Sequence, residues 1–183
     1  MNNKEKAEKV GKYYEQIKET HDHLLNFWFD HIFLRWEWWL SLVLAIGPWL
    51  IFWKFRNKES TARLMLSACF VIIISSWFDF IGVVRGLWYY SGKLIPTIPA
   101  YIPWDFCCLP VFVIMLIQYK PSISPIIKAI IFGGCSAFVA EPIFSAIHFY
   151  ELVHWKYYYS FPIYIMVYLI AHWISKRTTF KPL

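Results

Sequence analysis

Charge is scarce in this chain. Asp, Glu, Lys and Arg make up 16% of its 183 residues, against 58% hydrophobic and 21% aromatic residues. A soluble domain of this size could not keep so much apolar surface dry, so the composition excludes an ordinary aqueous globule and points to a bilayer as solvent. Nucleophile motifs are missing too. There is no Gly-x-Ser-x-Gly elbow, no Gly-rich phosphate loop and no His-Glu-x-x-His pair, which removes the hydrolase, kinase and zinc-protease readings that require them. The cysteines, Cys69, Cys107, Cys108 and Cys135, lack zinc spacing and lie in apolar stretches, where they read as small packing thiols. His21, Asp22, His23, Asp30 and His31 follow no metal-binding spacing and read as solvated. No metal and no cofactor is implied. Met1 to Thr20 is rich in Lys, Glu and Tyr and has no apolar core of a cleavable signal, so the first span is expected to act as its own insertion signal.

What is present is an all-α pattern: an integral membrane bundle of about five transmembrane helices preceded by an amphipathic segment. The expected spans are Trp36 to Phe55, Leu64 to Val84, Ile102 to Tyr119, Pro125 to His148 and Tyr158 to Ile174, each near the ~20 residues that a crossing needs. Helices are required because an open strand edge in lipid leaves backbone groups unpaired. The chain thus divides into a polar, amphipathic segment (1–35), a multi-pass helical domain (36–176) and a short basic tail (177–183). Within the first part, residues 13–35 carry an apolar stretch interrupted by Asp30 and His31 and are expected to lie on the membrane surface.

Most Lys and Arg of the connections fall in the first and third ones and the tail: Lys54, Arg56, Lys58, Arg63, Lys120, Lys128, Lys176, Arg177 and Lys181. The second and fourth hold Arg85, Lys93 and Lys156. This asymmetry predicts a multi-pass protein of the cell membrane with its C-terminus cytoplasmic and its N-terminus outside. The net charge of +6 is then a topological signal, with membrane lipids as partners of the basic span ends. No basic run interleaves with aromatics, so nucleic acid is not an expected partner. The sequence leaves the oligomeric state open.

Against this apolar background stand four carboxylates, Glu37, Asp79, Asp105 and Glu141, one in each of the first four spans. They lie about 13 to 17 residues from Lys54, Arg63, Lys120 and Lys128, roughly 20 to 25 Å along a helix at ~1.5 Å per residue. That places them in one layer near the opposite membrane face. Ionisable groups inside a membrane are costly and mark functional sites by default. Carboxylates that share a desolvated site titrate as a pair, and one of them then keeps a proton that it can donate at neutral pH. Asp105 and Glu141 are the candidate catalytic acids. Asp79 and Arg85 are expected to organise them, Arg85 by pairing with Asp105 or Glu141.

The stretch WFDFIGVVRGLWYYSGKLIPTIPAYIPWDF has Asp79 and Asp105 near its ends, with Pro96, Pro99 and Pro103 stiffening a loop that folds back over the membrane face. Trp88, Tyr90 and Trp104, with Glu37, are the candidate ligand-binding residues; an interfacial belt of Trp and Tyr is the bland alternative. Gly47-Pro48, Pro110 and Pro142 are expected to kink or break their helices, and Glu141, directly before Pro142, to leave the αR region. Gly133-Gly134 would let a neighbouring helix approach. An echo links the two halves, Glu141 followed by WKYYYSFP as Asp79 is followed by LWYY and a proline-led helix.

The order WEWW, PWLIFWKFRNK, DFIGVVRGLWYY, IPWDFCCLPVF, AEPIF and WKYYYSFPIYI resembles an uncharacterised family of small multi-pass membrane proteins of spore-forming Gram-positive bacteria. The segment Asp79 to Tyr90, with Gly86 and Trp88 after the acid, also resembles part of the lycopene cyclase domain, a small helical membrane enzyme in which acids drive cyclisation of a polyene. There the next helix opens with Pro-x-Glu-Glu; here Pro103-Trp104-Asp105-Phe106 has a single acid. This resemblance implies a shared scaffold and an isoprenoid or other apolar ligand. The expectation is therefore a membrane protein with an acidic, aromatic-lined site that binds or modifies a lipid or isoprenoid. A small cation- or proton-coupled transporter and a structural or sensory subunit of an envelope or spore complex are the alternatives.

Overall fold

The structure is a computed structural model that describes residues 1–177; Lys181 and all but the first residue of the expected basic tail lie outside them. It is mostly helical. The first helix, α1 (Asn3–His31), starts well before Tyr13, where the amphipathic segment was expected to begin, because Asn2 and Glu5 form a reciprocal cap at its head. Its apolar side chains Val10, Tyr13, Ile17 and Leu24 are exposed and share a face with Trp28, the helix's one buried residue. The Trp28 indole donates to the Lys93 carbonyl at 2.7 Å, which fastens the C-terminal end of α1 to the rest of the molecule.

After a turn at Leu34 come α2 (Trp36–Phe55), α3 (Thr61–Val84), α4 (Leu109–Gln118), α5 (Pro125–Cys135), α6 (Glu141–Ala146) and α7 (Tyr157–Ser175). Two π-helical turns, Pro103–Cys108 and Ser136–Ala140, lead into α4 and α6. Three helical stretches, Trp36–Phe55, Lys58–Val84 and Pro125–Ala146, are long and apolar enough to cross a membrane; Pro103–Gln118 is apolar but shorter. α3 packs on α4 and α7, α5 packs on α7, and α2 lies against the π turn before α4. Their shared core holds Phe52, Val71, Val113, Ile114, Phe132 and Tyr168.

Between apolar helices in lipid, close packing and hydrogen bonds replace the hydrophobic drive. The prolines supply the acceptors. Pro48 leaves the Leu44 carbonyl without its helical donor, and the Cys108 thiol takes it at 3.6 Å. Pro110 does the same for the carbonyls before it, and the Trp49 indole reaches Phe106 O at 3.0 Å while Ser75 Oγ reaches Asp105 O at 3.2 Å. Each broken intrahelical bond thus becomes a bond between helices, and α2 runs through Pro48 without interruption. The break expected at Pro142 is not found either. Glu141 sits in the αR region at φ −56° and ψ −47°, since the widened π turn before it makes room for the proline ring. Of the two glycines of α5, Gly133 faces α7, where a Cβ would lie 3.1 Å from the Phe161 carbonyl, while Gly134 faces open space.

At one end of the bundle the chain folds into a cap. Gly86, at φ +67°, ends α3 with Leu87 N–H bonded to Gly82 O, and strand β1 (Trp88–Tyr90) follows. It pairs antiparallel with β2 (Tyr150–Leu152), with Tyr89 opposite Glu151. Ser41 of α2 holds the cap by donating to Gly92 O at 2.6 Å and sharing a hydrogen bond with the Tyr101 hydroxyl at 2.8 Å.

The Trp88 ring lies back over α3 so closely that a Cβ on Gly82 would meet it at 2.0 Å. Gly82→Ala should therefore destabilise the fold by about 2 kcal/mol or more through overpacking. Gly11→Ala, in open space on α1, should stabilise its helix by roughly 0.5–1 kcal/mol. Thermal unfolding in a neutral detergent compares the two.

Candidate functional site

Below the cap a cavity of about 110 Å³ is lined by Asp79, Asp105 and Glu141 together with Trp88, Tyr90, Tyr101, Trp104, Tyr150, Trp155 and Tyr164. Of the expected acid layer, three members share this chamber. Glu37 does not line it: the residue stands half-buried in the first turn of α2, about one turn before Ser41, with one carboxylate oxygen buried and unpartnered. The chamber walls come from α3, the π turn and start of α4, α6, β1, β2 and α7.

Asp79 is the most fully engaged of the acids. Its Oδ1 accepts the Trp88 indole N–H at 2.6 Å and the Tyr90 hydroxyl at 2.7 Å, and its Oδ2 accepts the Tyr101 amide at 2.8 Å. Asp105 accepts from the same Tyr101 amide at 3.2 Å, so the two carboxyls stand side by side. Glu141 forms a second pole. Its Oε1 accepts the Tyr164 hydroxyl at 2.9 Å, and Tyr164 in turn accepts the Trp104 indole at 3.3 Å. Its Oε2 is buried and makes no hydrogen bond of good geometry. Ser160, at the edge of this pole, accepts the Trp155 indole at 2.9 Å.

The cap rings stack over the Asp79 pole. Tyr90 lies between Tyr101, at a centroid distance of 4.8 Å, and Tyr150, at 5.4 Å. Burial, reinforced by the neighbouring Asp79 charge, pushes the Tyr90 hydroxyl well above its usual range and keeps it a donor. Burial likewise raises the hydroxyls of Tyr101 and Tyr150.

The expectation for Arg85 is not met. It caps the C-terminus of α3, exposed and outside the cavity lining, and the recorded ion pairs among the described residues, Met1–Glu5, Lys18–Asp22 and His148–Glu151, leave it out. Following Asp79 by six positions, it leaves the helix at the turn that Gly86 makes and points elsewhere. The cation that approaches the acid layer is Lys93. Its ammonium lies 5.9 Å from the Tyr90 ring centroid and donates to the carbonyls of Ile98 and Pro99 at 2.9 and 2.8 Å. Burial lowers its pKa, with Asp79 and Asp105 pulling the other way. Lys93 is thus spent on closing the proline-rich loop.

Trp88, Tyr90 and Trp104 all stand in the lining, and each also serves an acid or its partner as a donor. The sequence places Tyr101 among the aromatics near Asp79 and Asp105 without a role of its own, and does not single out Tyr164. Tyr164 carries a usable signal, because it follows Pro162 inside α7 by two positions as Asp105 follows Pro103 in the π turn before α4. The echo between halves has a geometric counterpart. Asp79 precedes left-handed Gly86, and Glu141 precedes left-handed His148, in each case by two turns, about seven residues. Both helices end in the same paired hydrogen-bond motif and continue into the strands that pair around Tyr89 and Glu151. Each acid therefore stands at a matching position, seven residues before the left-handed turn that leads into its strand.

Comparison with protein-family models, with curated proteins and with solved structures returns no match.

The unequal partnering of the acids separates their roles. Asp79→Asn keeps one acceptor oxygen but turns its amide donor against at least one of the three buried donors and should cost about 3 kcal/mol or more. Glu141→Gln keeps the acceptor that Tyr164 uses and places its amide at the unpartnered oxygen, so stability should change by less than about 1 kcal/mol. Thermal unfolding of each variant against the parent protein measures the difference.

Proposed function

We propose that this chain is a five-span membrane protein that binds a lipid- or isoprenoid-like molecule in the acid-lined chamber. On this reading α4 with its π turn and α7 complete the set of crossings begun by the three longer helices, the N-terminus and chamber lie toward the outside, and the C-terminus is cytoplasmic. α1 rests on the outer membrane surface, with the apolar stripe that includes Trp28 turned toward it.

The observation that carries the proposal is the apolar, exposed flank of the chamber. Phe78 is the one exposed residue of the lining, and its neighbours on α3, Trp77 and Ile81, are exposed and apolar as well. An opening flanked by such a surface communicates with hydrocarbon, so the molecules that meet it are amphiphiles. Phe144, Leu109, Ile163 and Val167 extend the apolar wall inward, and the polar groups are confined to the two acid poles. This distribution suits a ligand with a long apolar part and a small polar one.

In this reading Asp105 and Glu141 are the groups that face the ligand and, if chemistry occurs, its acids; Asp79 positions the cap. The ligand class agrees with what the resemblance to the lycopene cyclase domain implies. Transport has less support, because the helix stays continuous at Glu141 and offers no half-helix termini of the kind that hold transported ions.

Two measurements test the proposal. Protein purified in mild detergent should carry a lipid detectable by mass spectrometry, and Ile163→Trp, which fills the apolar wall, should deplete that lipid while thermal unfolding shows the fold retained. In a background with Cys69, Cys107, Cys108 and Cys135 replaced, a cysteine introduced as Lys4→Cys should react with a membrane-impermeant maleimide on intact cells. Protection there, with labelling only after lysis, would overturn the orientation.

A further inference from the structure

The chamber's charge balance identifies the ligand's head. Among the described residues its lining holds three carboxylates and no Lys, Arg or His. Lys93, the cation nearest the acid layer, is tied to two carbonyls of its own loop. Asp79 is satisfied by three donors and Asp105 shares one of them. Glu141 is different: it is 6% exposed, it lines the cavity, and its Oε2 makes no hydrogen bond of good geometry, with the Ser160 hydroxyl nearby as a weaker partner. In its ionised form a carboxylate in that position requires a donor or a cation from the chamber itself.

A metal ion does not fit this need, since no group of three His, Cys, Asp or Glu side chains converges among the described residues. The walls favour a larger and softer cation. The stacked rings of Tyr90 and Tyr150, the edge-on Trp88–Trp155 pair at 5.1 Å, and Trp104 bring aromatic side chains to the space beside the acids. Aromatic walls with a nearby carboxylate are the chemistry that recognises organic ammonium groups, through the ring quadrupole and through charge. An anionic head is repelled by the same acids.

We propose that the chamber takes an amphiphile whose head is an organic ammonium, seated against Glu141 and the Tyr and Trp walls, with its apolar tail directed to the mouth at Phe78. This deepens the proposed function and rests on it for the tail, while the head is argued from the charge balance alone. The protein's net charge of +6 works against unspecific attraction of cations, so specific capture stands out.

The test uses the full chain in dodecyl maltoside, an uncharged detergent, and follows intrinsic tryptophan fluorescence on titration with hexadecyltrimethylammonium, hexadecanol, hexadecyl sulfate and tetramethylammonium. The expected result is saturable binding of hexadecyltrimethylammonium, about tenfold or more tighter than hexadecanol, with no binding of the sulfate. Glu141→Gln should weaken the cationic probe by a similar factor and leave hexadecanol unchanged. Should that variant fail to fold, Asp105→Asn takes its place. If hexadecanol binds as tightly as the cationic probe, the ammonium head is refuted while the apolar chamber stands. If tetramethylammonium binds as tightly as its long-chain relative, the ammonium site stands and the amphiphile reading falls. If no probe saturates, both are overturned.

Discussion

The Asp79 carboxylate holds the cap to the bundle. A charge at this depth is tolerated only with partners, and its partners are an indole, a phenol and a backbone amide from three separate points of the chain beyond α3. Meeting that demand requires Gly86 to reverse the chain, β1 to return across the helix end and the proline-rich loop to deliver Tyr101. Gly82 must stay bare because Trp88 can reach Asp79 only by lying on it. The cap is therefore a consequence of one buried acid, and its aromatic content is a hydrogen-bonding necessity as much as an interfacial preference.

Much of the bundle was legible in the sequence because the bilayer imposes a single length scale. The expected first span coincides with α2, and the other four expected segments differ from the observed helical stretches by a few residues at their ends. Three acids of the layer meet in one chamber, which depth alone foreshadowed. What depth cannot give is direction around a helix. Arg85 and Lys93 are both cations near the acid layer, and only the turn at Gly86 and the fold of the Pro96–Pro99 loop decide that the first faces away and the second closes over Tyr90. The same limit hid Tyr164, whose role depends on α7 packing beside α5. At Pro142 a local rule misled, because a π turn accommodates a proline that an ideal helix could not.

The prolines inside the helical stretches show how lipid changes the meaning of a helix-breaking residue. In water, a freed carbonyl finds solvent. Here the carbonyls of Leu44, Asp105 and Phe106 find Cys108, Ser75 and Trp49, and these bonds connect α2, α3 and the π turn before α4. The helix defects are thus the attachment points of the bundle, and the two π turns adjoin the acids, one containing Asp105 and the other directly preceding Glu141.

The latched loop has a kinetic consequence. With Lys93 clamped by two carbonyls and Ser41, Trp28 and Trp38 all donating to the loop or its base, the roof gives an occupant no ready way upward. A molecule using the opening beside Phe78 would arrive by diffusion within the plane of the membrane. Occupancy would then follow the mole fraction of that molecule among the surrounding lipids, and diluting the cells or vesicles in buffer would leave it unchanged.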